Sequence, residues 1–249
     1  MKKLIIGLTF MVTLNQSLSV FGQSVPLVAD LENHLVAITT GFTGTDVLLF
    51  GATDGPGDLV IVVRGPGEDI TLMQKERFGP IWANANAVEL RDVPSFYSVA
   101  SNRNPEDFAD FRLRERYQIG LGNLRLSFKN PTIDKETQAE YRNALLRLNT
   151  DRKVYTEEVG RVSLLANRLF RTELHFPANV PTGIYFVEIY LFRDGDVASA
   201  EIVPLSISKI GIGAEIYDFA HNLAPLYGLL AITLAVLAGL GAEAAFRRN

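Results

Sequence analysis

The feature that most constrains this chain is an uncharged stretch near its C-terminus. Residues Asn222 to Ala242 are 21 in number and carry no charged side chain. At about 1.5 Å of rise per residue, a helix over this stretch is roughly 31 Å long, close to the hydrocarbon thickness of a bilayer. A helix also satisfies its own backbone hydrogen bonds, as a segment in lipid must. The stretch predicts one transmembrane helix over residues 223–242, because a core helix in a small soluble domain is usually shorter.

Charges flanking this helix predict its orientation. Arg247 and Arg248 follow the stretch, and positive charge marks the cytoplasmic side of a membrane. We expect residues 243–249 to form a cytoplasmic tail and the bulk of the chain to be periplasmic. This arrangement describes a single-pass protein of the inner (cell) membrane.

The N-terminus is typical of a signal peptide. Lys2 and Lys3 precede the apolar run Leu4 to Leu14, and Val20 to Gly22 resembles a small-residue cleavage site. We expect residues 1–22 to be a signal peptide. The alternative is an uncleaved N-terminal anchor, which has the same orientation.

Several classes of function are disfavoured by composition. The chain has no cysteine, so disulfides and thiolate metal sites are excluded. Its net charge of −4 does not favour nucleic acid as a partner. Its three histidines show no metal-ligand spacing, and no hydrolase motif occurs. We therefore expect no cofactor, no metal and no enzymatic activity.

The first exported part, up to Ser101, has the pattern of a β-sheet protein. Leu59 to Val63 is a continuous aliphatic run, which is typical of a strand buried on both faces. It lies between two similar segments, Gly55-Pro56-Gly57-Asp58 and Gly65-Pro66-Gly67-Glu68. Gly and Pro favour reversals, so both segments predict turns between neighbouring antiparallel strands, as in a β-meander.

Residues 103–170 have a different pattern and predict a helical insertion. Asp134 to Leu148 places Tyr141, Leu145 and Leu148 on one helix face, with Thr132 or Asp134 as the N-cap. Residues 102–171 contain 14 basic and 10 acidic side chains, a net of +4, whereas residues 23–101 have a net of −6. The basic segment suggests an alternative function, a periplasmic anion- or ligand-binding sensor.

The last part of the exported region predicts a hairpin. Tyr185 to Phe192 is rich in β-forming residues, Asp194-Gly195 is a hairpin dipeptide, and Ala198 to Ile207 returns. Gly183 and Tyr185 follow a Pro-containing loop, as in the tyrosine corner of immunoglobulin-like domains. We predict a mainly β fold over residues 23–208, an immunoglobulin-like antiparallel β-sandwich with the helical insertion. The alternative is two small β domains.

Two features near the membrane are candidates for contact with a partner. Residues 209–222 predict an amphipathic juxtamembrane segment, in which Asp218 and His221 form a possible titrating or interface pair at i, i+3. Within the membrane helix, small residues recur at spacings of three and four and predict a helix-packing seam. The seam residues are Gly228, Ala231, Ala235, Ala238 and Ala242.

Four long segments resemble the alphaproteobacterial putative transmembrane protein family. They are Leu27 to Ala52, Asp92 to Arg103, Phe176 to Tyr185 and Ile216 to Ile232. The resemblance implies an inner-membrane protein with a periplasmic domain and with no assigned reaction or catalytic residue. Members of the family are often encoded beside sulfite-exporter-like permeases, so the resemblance implies an accessory role with an integral-membrane partner such as a sulfite-exporter-like permease. Together with the seam, it favours an accessory or assembly subunit of a membrane complex.

Overall fold

The computed structural model describes residues 26–130, 132–211 and 219–246. The predicted signal peptide, Asp218 and the Arg pair at positions 247 and 248 lie outside these residues. The strands are β1 (Leu27–Leu31), β2 (Leu35–Ile38), β3 (Gly44–Thr53), β4 (Asp58–Arg64), β5 (Gly67–Phe78), β6 (Ile81–Pro94), β7 (Tyr97–Ser101), β8 (Ser127–Phe128), β9 (Gly160–Arg161), β10 (Ser163–Leu165), β11 (Leu169–Pro177), β12 (Gly183–Arg193) and β13 (Asp196–Lys209). The helices are α1 (Phe111–Arg116), α2 (Lys135–Asp151) and α3 (Ala224–Phe246). The prediction of a mainly β fold with one C-terminal apolar helix is confirmed.

Two sheets share the main hydrophobic core. One has four strands in the order β1-β3-β11-β10, and the other has six in the order β2-β13-β12-β4-β7-β9. Strand β11 shows the alternation that one buried face requires, since Phe170, Leu174 and Phe176 are buried and their neighbours are exposed. Side chains from both sheets belong to one core cluster, and we call these two sheets together the sandwich. The pairing is antiparallel except for two parallel pairs, β2 with β13 and β9 with β7.

Strand β4 is buried on both faces, as its aliphatic run predicts. All five residues from Leu59 to Val63 have no solvent exposure. Ile61 and Val63 lie on the same face of the sheet as Val187 and Ile189 of β12. The opposite face of the sheet is covered by the chain between β7 and β11. There, the ring of Tyr117 lies 4.7 Å from that of Tyr190, centroid to centroid.

The predicted β-meander is wrong. Strands β3 and β4 lie in different sheets, so the segment Gly55 to Asp58 joins two layers and is not the turn of a hairpin. The segment at Gly65 is not a reversal either. Gly65 N–H donates to the carbonyl oxygen of Phe96 (2.9 Å) and Ser95 N–H donates to that of Pro66 (2.9 Å), so the ladder of β4 and β7 continues into β5 and β6.

Gly65 and Gly67 lie where the opposite strand comes close. A Cβ on Gly67 would lie 1.9 Å from Oδ1 of Asp92, and a Cβ on Gly65 would lie 2.7 Å from Oγ of Ser95. The reversal comes later, at Gly79, whose φ of +65° is in the left-handed region that favours glycine. Strands β5 and β6 therefore form one long hairpin, which we call the arm (residues 67–94).

Helix α2 packs on the base of the arm. Its N-cap is Asp134, whose carboxylate accepts from the N–H of Thr137 (2.9 Å). Tyr141 and Leu145 are buried in a second, small cluster with Val88, Leu90 and Val93 of β6. The third residue of the predicted stripe, Leu148, is about half exposed.

Helix α3 carries the apolar stretch that predicts the membrane segment. Residues Ala224–Glu243 have a mean hydropathy of 1.9, and none of them is buried within the described structure. By length and composition the helix can cross a membrane. It begins one residue after the predicted start.

Candidate functional site

Tyr185 fixes the start of β12 to the loop before it. Its hydroxyl donates to the carbonyl oxygen of Pro181 (2.6 Å), and its ring is fully buried against Phe96 and Phe176. Burial raises the pKa of the phenol. Gly183 has a φ of +147°, and a Cβ there would meet Pro66 at 2.7 Å. The immunoglobulin-like classification, which the sequence suggested from these two residues, stays a prediction.

A buried ion pair lies where the sandwich meets the arm. Nη1 of Arg64 lies 2.5 Å from Oε1 of Glu188, and both side chains are mostly buried. Nη2 of Arg64 donates to the carbonyl oxygen of Tyr117 (2.7 Å), and the Tyr190 hydroxyl donates to Glu188 (2.5 Å). Burial, and next the bond to Glu188, raise the pKa of Tyr190. The network ties the helical insertion to the six-stranded sheet.

An apolar surface lies on the same face of the six-stranded sheet, beyond the edge of the insertion. We call it the proximal patch: Leu35, Ile184, Phe186 and Ile202, each about half exposed. The register places them together, because Ile184 and Leu35 both pair with Ser206 while Ile202 is opposite Glu188. The patch lies at the end of the sheet where β13 leads towards α3.

A second apolar surface lies on the outer face of the four-stranded sheet. We call it the distal patch: Val28, Phe50, Leu165 and Leu169. Val28 and Leu169 both pair with Ala52 of β3. Strand β3 ends at Thr53, and β4 begins at Asp58, which pairs with Phe192 near the start of β13. The end of β3 therefore lies at the end of the sandwich far from Lys209, and the distal patch lies there.

The two acidic residues of the segment between β3 and β4 form ion pairs with arginines. Asp54 pairs with Arg193, and Asp58 binds Arg103 through two hydrogen bonds of 2.6 Å. The bond to Asp58 raises the pKa of Arg103. Within the described residues, no group of three or more His, Asp or Glu side chains could hold a metal ion. These two ion pairs join the segment from Asp54 to Asp58 to β12 and to the chain after β7.

Arginines of the basic segment also make structural contacts. Arg142 donates to the carbonyl oxygens of Leu124 (2.6 Å), Gly122 (2.9 Å) and Leu121 (3.1 Å), and burial lowers its pKa. Arg114 pairs with Glu106 at 2.7 Å. These two guanidinium groups therefore connect parts of the helical insertion to one another.

The predicted membrane-side residues are only partly described. Asp218 lies outside the described residues, so its pairing with His221 stays a prediction. His221 lies just before α3, and the five seam residues lie along α3. The packing seam along α3 stays a prediction.

Sequence reasoning missed the proximal patch and the ion pair. The run from Ile184 to Phe192 is apolar at both even and odd positions, which is typical of a strand covered on both faces. Only half of that strand is covered, because the insertion ends near Tyr190. The charged Glu188 inside the run was the available signal, since a buried carboxylate needs a partner.

Comparison with known proteins supports the membrane assignment. A family model with the description "Putative transmembrane protein (Alph_Pro_TM)" matches residues 26–248. A comparison with curated proteins finds no match. The match spans all of the described residues, including α3 and both patches. The resemblance seen in the four segments is confirmed, and the chain belongs to this family of transmembrane proteins.

Proposed function

We propose that this protein is a non-enzymatic accessory or assembly subunit of a membrane complex or transporter. Its sandwich is held on the periplasmic side of the inner membrane and binds an integral-membrane partner through the proximal patch. The family resemblance favours a sulfite-exporter-like permease as that partner. The proposal depends on one observation, the location of the proximal patch.

The composition of the proximal patch suits a protein contact. It combines Phe186 with three aliphatic side chains on one face of the sheet, and contiguous exposed apolar surface is typical of interaction sites. The mostly buried Arg64–Glu188 pair lies beside it, because Arg64 pairs with Phe186 across the sheet. A rigid β-sheet also loses little conformational entropy on binding.

The location of the proximal patch favours a partner in the membrane. Ile184 and Leu35 lie beside the last residues of β13, which ends at Lys209. The chain continues from there to α3. A partner that touches the patch would therefore lie next to the point where the chain approaches the bilayer.

Site-specific photocrosslinking in cells tests this surface. A photoreactive phenylalanine analogue at Phe186 should form adducts with one integral-membrane protein, which mass spectrometry identifies. The matched control places the same analogue at Phe50 of the distal patch, which has nearly the same exposure. Identical adducts from both positions, or no membrane protein from Phe186, would contradict the proposal.

A second experiment measures the energetic contribution of the patch and seam. Phe186→Asp should reduce co-purification of the crosslinked partner by about tenfold or more, because a central aromatic contact contributes over 1.4 kcal/mol. Phe50→Asp is its control.

In α3, the double variant Ala231→Leu with Ala235→Leu should also reduce co-purification of the partner. The double variant Leu229→Ala with Leu240→Ala, on the opposite face of the helix, should not.

A further inference from the structure

The tip of the arm is the most exposed apolar part of the described β structure. Ile81 and Trp82 are 67% and 65% exposed. Trp82 is the only tryptophan in the chain. It pairs across the hairpin with Arg77, whose Nε donates to the carbonyl oxygen of Gly79 (2.9 Å) and closes the turn. The apolar residues are therefore presented on an ordered turn.

The arm leaves the sandwich at the end that leads to α3. Strand β4 ends at Arg64, which pairs with Phe186 of β12. Gly183, three residues before Phe186 in β12, pairs with Ile207 near the end of β13. The ladder of β4 and β7 then continues directly into the arm. Both the arm and the connection to the membrane helix thus start from one end of the sandwich.

The arm and the connection from β13 to α3 are similar in length. Strand β5 has 12 residues and, at about 3.3 Å per residue, is roughly 40 Å long. Residues 210–223 connect β13 to α3, and a chain of this length spans at most about 50 Å. The tip of the arm and the start of α3 can therefore lie at a similar distance from the end of the sandwich.

The charge of the tip suits a lipid surface. From Lys75 to Val88 there are two basic residues, Lys75 and Arg77, and one acidic residue, Glu76, although the whole chain has a net charge of −4. Lys75 lies on the same face as Arg77 and Trp82, two residues nearer the base. Trp is favoured at the membrane interface, where its ring is apolar and its N–H remains near water, and Arg and Lys favour lipid phosphates.

We propose that the tip of the arm, residues 77–82, inserts Ile81 and Trp82 into the headgroup region of the bilayer that α3 crosses. The arm is then a second membrane contact, which holds the sandwich at a defined orientation. Helix α2 stiffens the base through Tyr141 and Leu145, and the Tyr141 hydroxyl donates to the carbonyl oxygen of Asn86 (2.8 Å). This contact requires no protein partner.

Fluorescence of the full chain tests the inference, because all tryptophan emission comes from Trp82. The protein is purified alone and reconstituted into phosphatidylcholine–phosphatidylglycerol vesicles. We expect blue-shifted emission and strong quenching when part of the phosphatidylcholine is brominated in the upper acyl chain. The quenching should not change with the ratio of protein to lipid.

The control moves the single tryptophan to the distal patch, as the double variant Trp82→Phe with Phe50→Trp. Its emission should be red-shifted and little changed by brominated lipid. Equal, weak quenching of both proteins would overturn the proposal. A blue shift of Trp82 that brominated lipid leaves unquenched and that grows with protein density would also overturn it, in favour of contact between copies of this chain. Neither result depends on the partner proposed above.

Discussion

The ribbon formed by β4 and β7 and the arm formed by β5 and β6 are one continuous pair of strands with two different environments. In the sandwich, Leu59 to Val63 are fully buried. In the arm, burial ends at Val88, and beyond it Met73, Ile81 and Trp82 are exposed. The strand pairing is the same, so the difference comes from the layers that cover each part. The four-stranded sheet and the insertion cover β4, whereas α2 covers only the base of the arm.

This difference separates two roles within one ribbon. A hairpin on its own is marginal in water, and packing against other elements supplies its stability. The sandwich part therefore specifies the fold, and the tip of the arm is available for contacts outside the chain. Substitutions along the ribbon should show this as a gradient in stability from the sandwich to the tip.

The largest loss of stability is expected at the centre of β4. Ile61→Ala removes a fully buried side chain and should lower the free energy of unfolding by about 2–5 kcal/mol, because a cavity remains in a close-packed core. Chemical denaturation of the full chain in detergent, followed by circular dichroism, measures the loss. A change below about 1 kcal/mol would mean that the sandwich core relaxes around the cavity. It would contradict the expected gradient in stability from the sandwich to the tip of the arm.

Alkaline pH should destabilise the junction between the sandwich and the arm. Burial raises the pKa of Tyr155 to about 12, and its hydroxyl donates to the carbonyl oxygen of Pro94 at the end of β6 (2.6 Å). Because the folded pKa is raised, this contribution is complete below the unfolded pKa of about 10 and is lost as pH rises towards 12, a change of order 2–3 kcal/mol.

The measurement is the free energy of unfolding against pH between 9 and 12, beside absorbance of tyrosinate. Tyr155→Phe cannot ionise at this position, so its stability should fall less steeply with pH than that of the wild-type chain. Equal slopes would show that the other buried tyrosines, such as Tyr97, carry the whole effect.

The parts of the fold that depend on local pattern were predictable from sequence. The run Leu59 to Val63, the turn at Asp194-Gly195 and the helix capped by Asp134 all have strong local signals. The apolar length of α3 likewise predicts its membrane role without knowledge of any contact. In each of these cases neighbouring residues determine the structure.

The arm and the proximal patch were not predictable, because they depend on strand pairing across long distances in sequence. Gly65 and Gly67 have the composition of a turn, yet they serve close approach of the opposite strand. A Gly-Pro-Gly segment has the same appearance in either role. Similarly, Ile184 and Phe186 have the pattern of buried residues, and only the extent of the insertion decides that they are exposed.

An intermediate and local effect is expected where α2 meets the arm. Leu145→Ala removes a buried contact with the β6 side chains and should cost about 2–3 kcal/mol, with the loss confined to the arm and α2. Hydrogen exchange should become faster in β5, β6 and α2 while β4 and β12 stay protected. Equal acceleration in β4 would mean that the arm and the sandwich unfold as one unit.

The smallest effect on stability is expected at the tip. Met73→Ala and Trp82→Ala each remove an exposed side chain, and the free energy of unfolding in detergent should change by less than about 0.5 kcal/mol.

Reconstitution into vesicles should separate the two variants, because Trp82 lies at the tip whereas Met73 lies nearer the base. Protease cleavage of the exposed arm in vesicles should be faster for Trp82→Ala than for Met73→Ala or the wild-type chain. A loss of more than about 1 kcal/mol in detergent for Trp82→Ala would instead make the tip part of the folded core, and the gradient along the ribbon would be wrong.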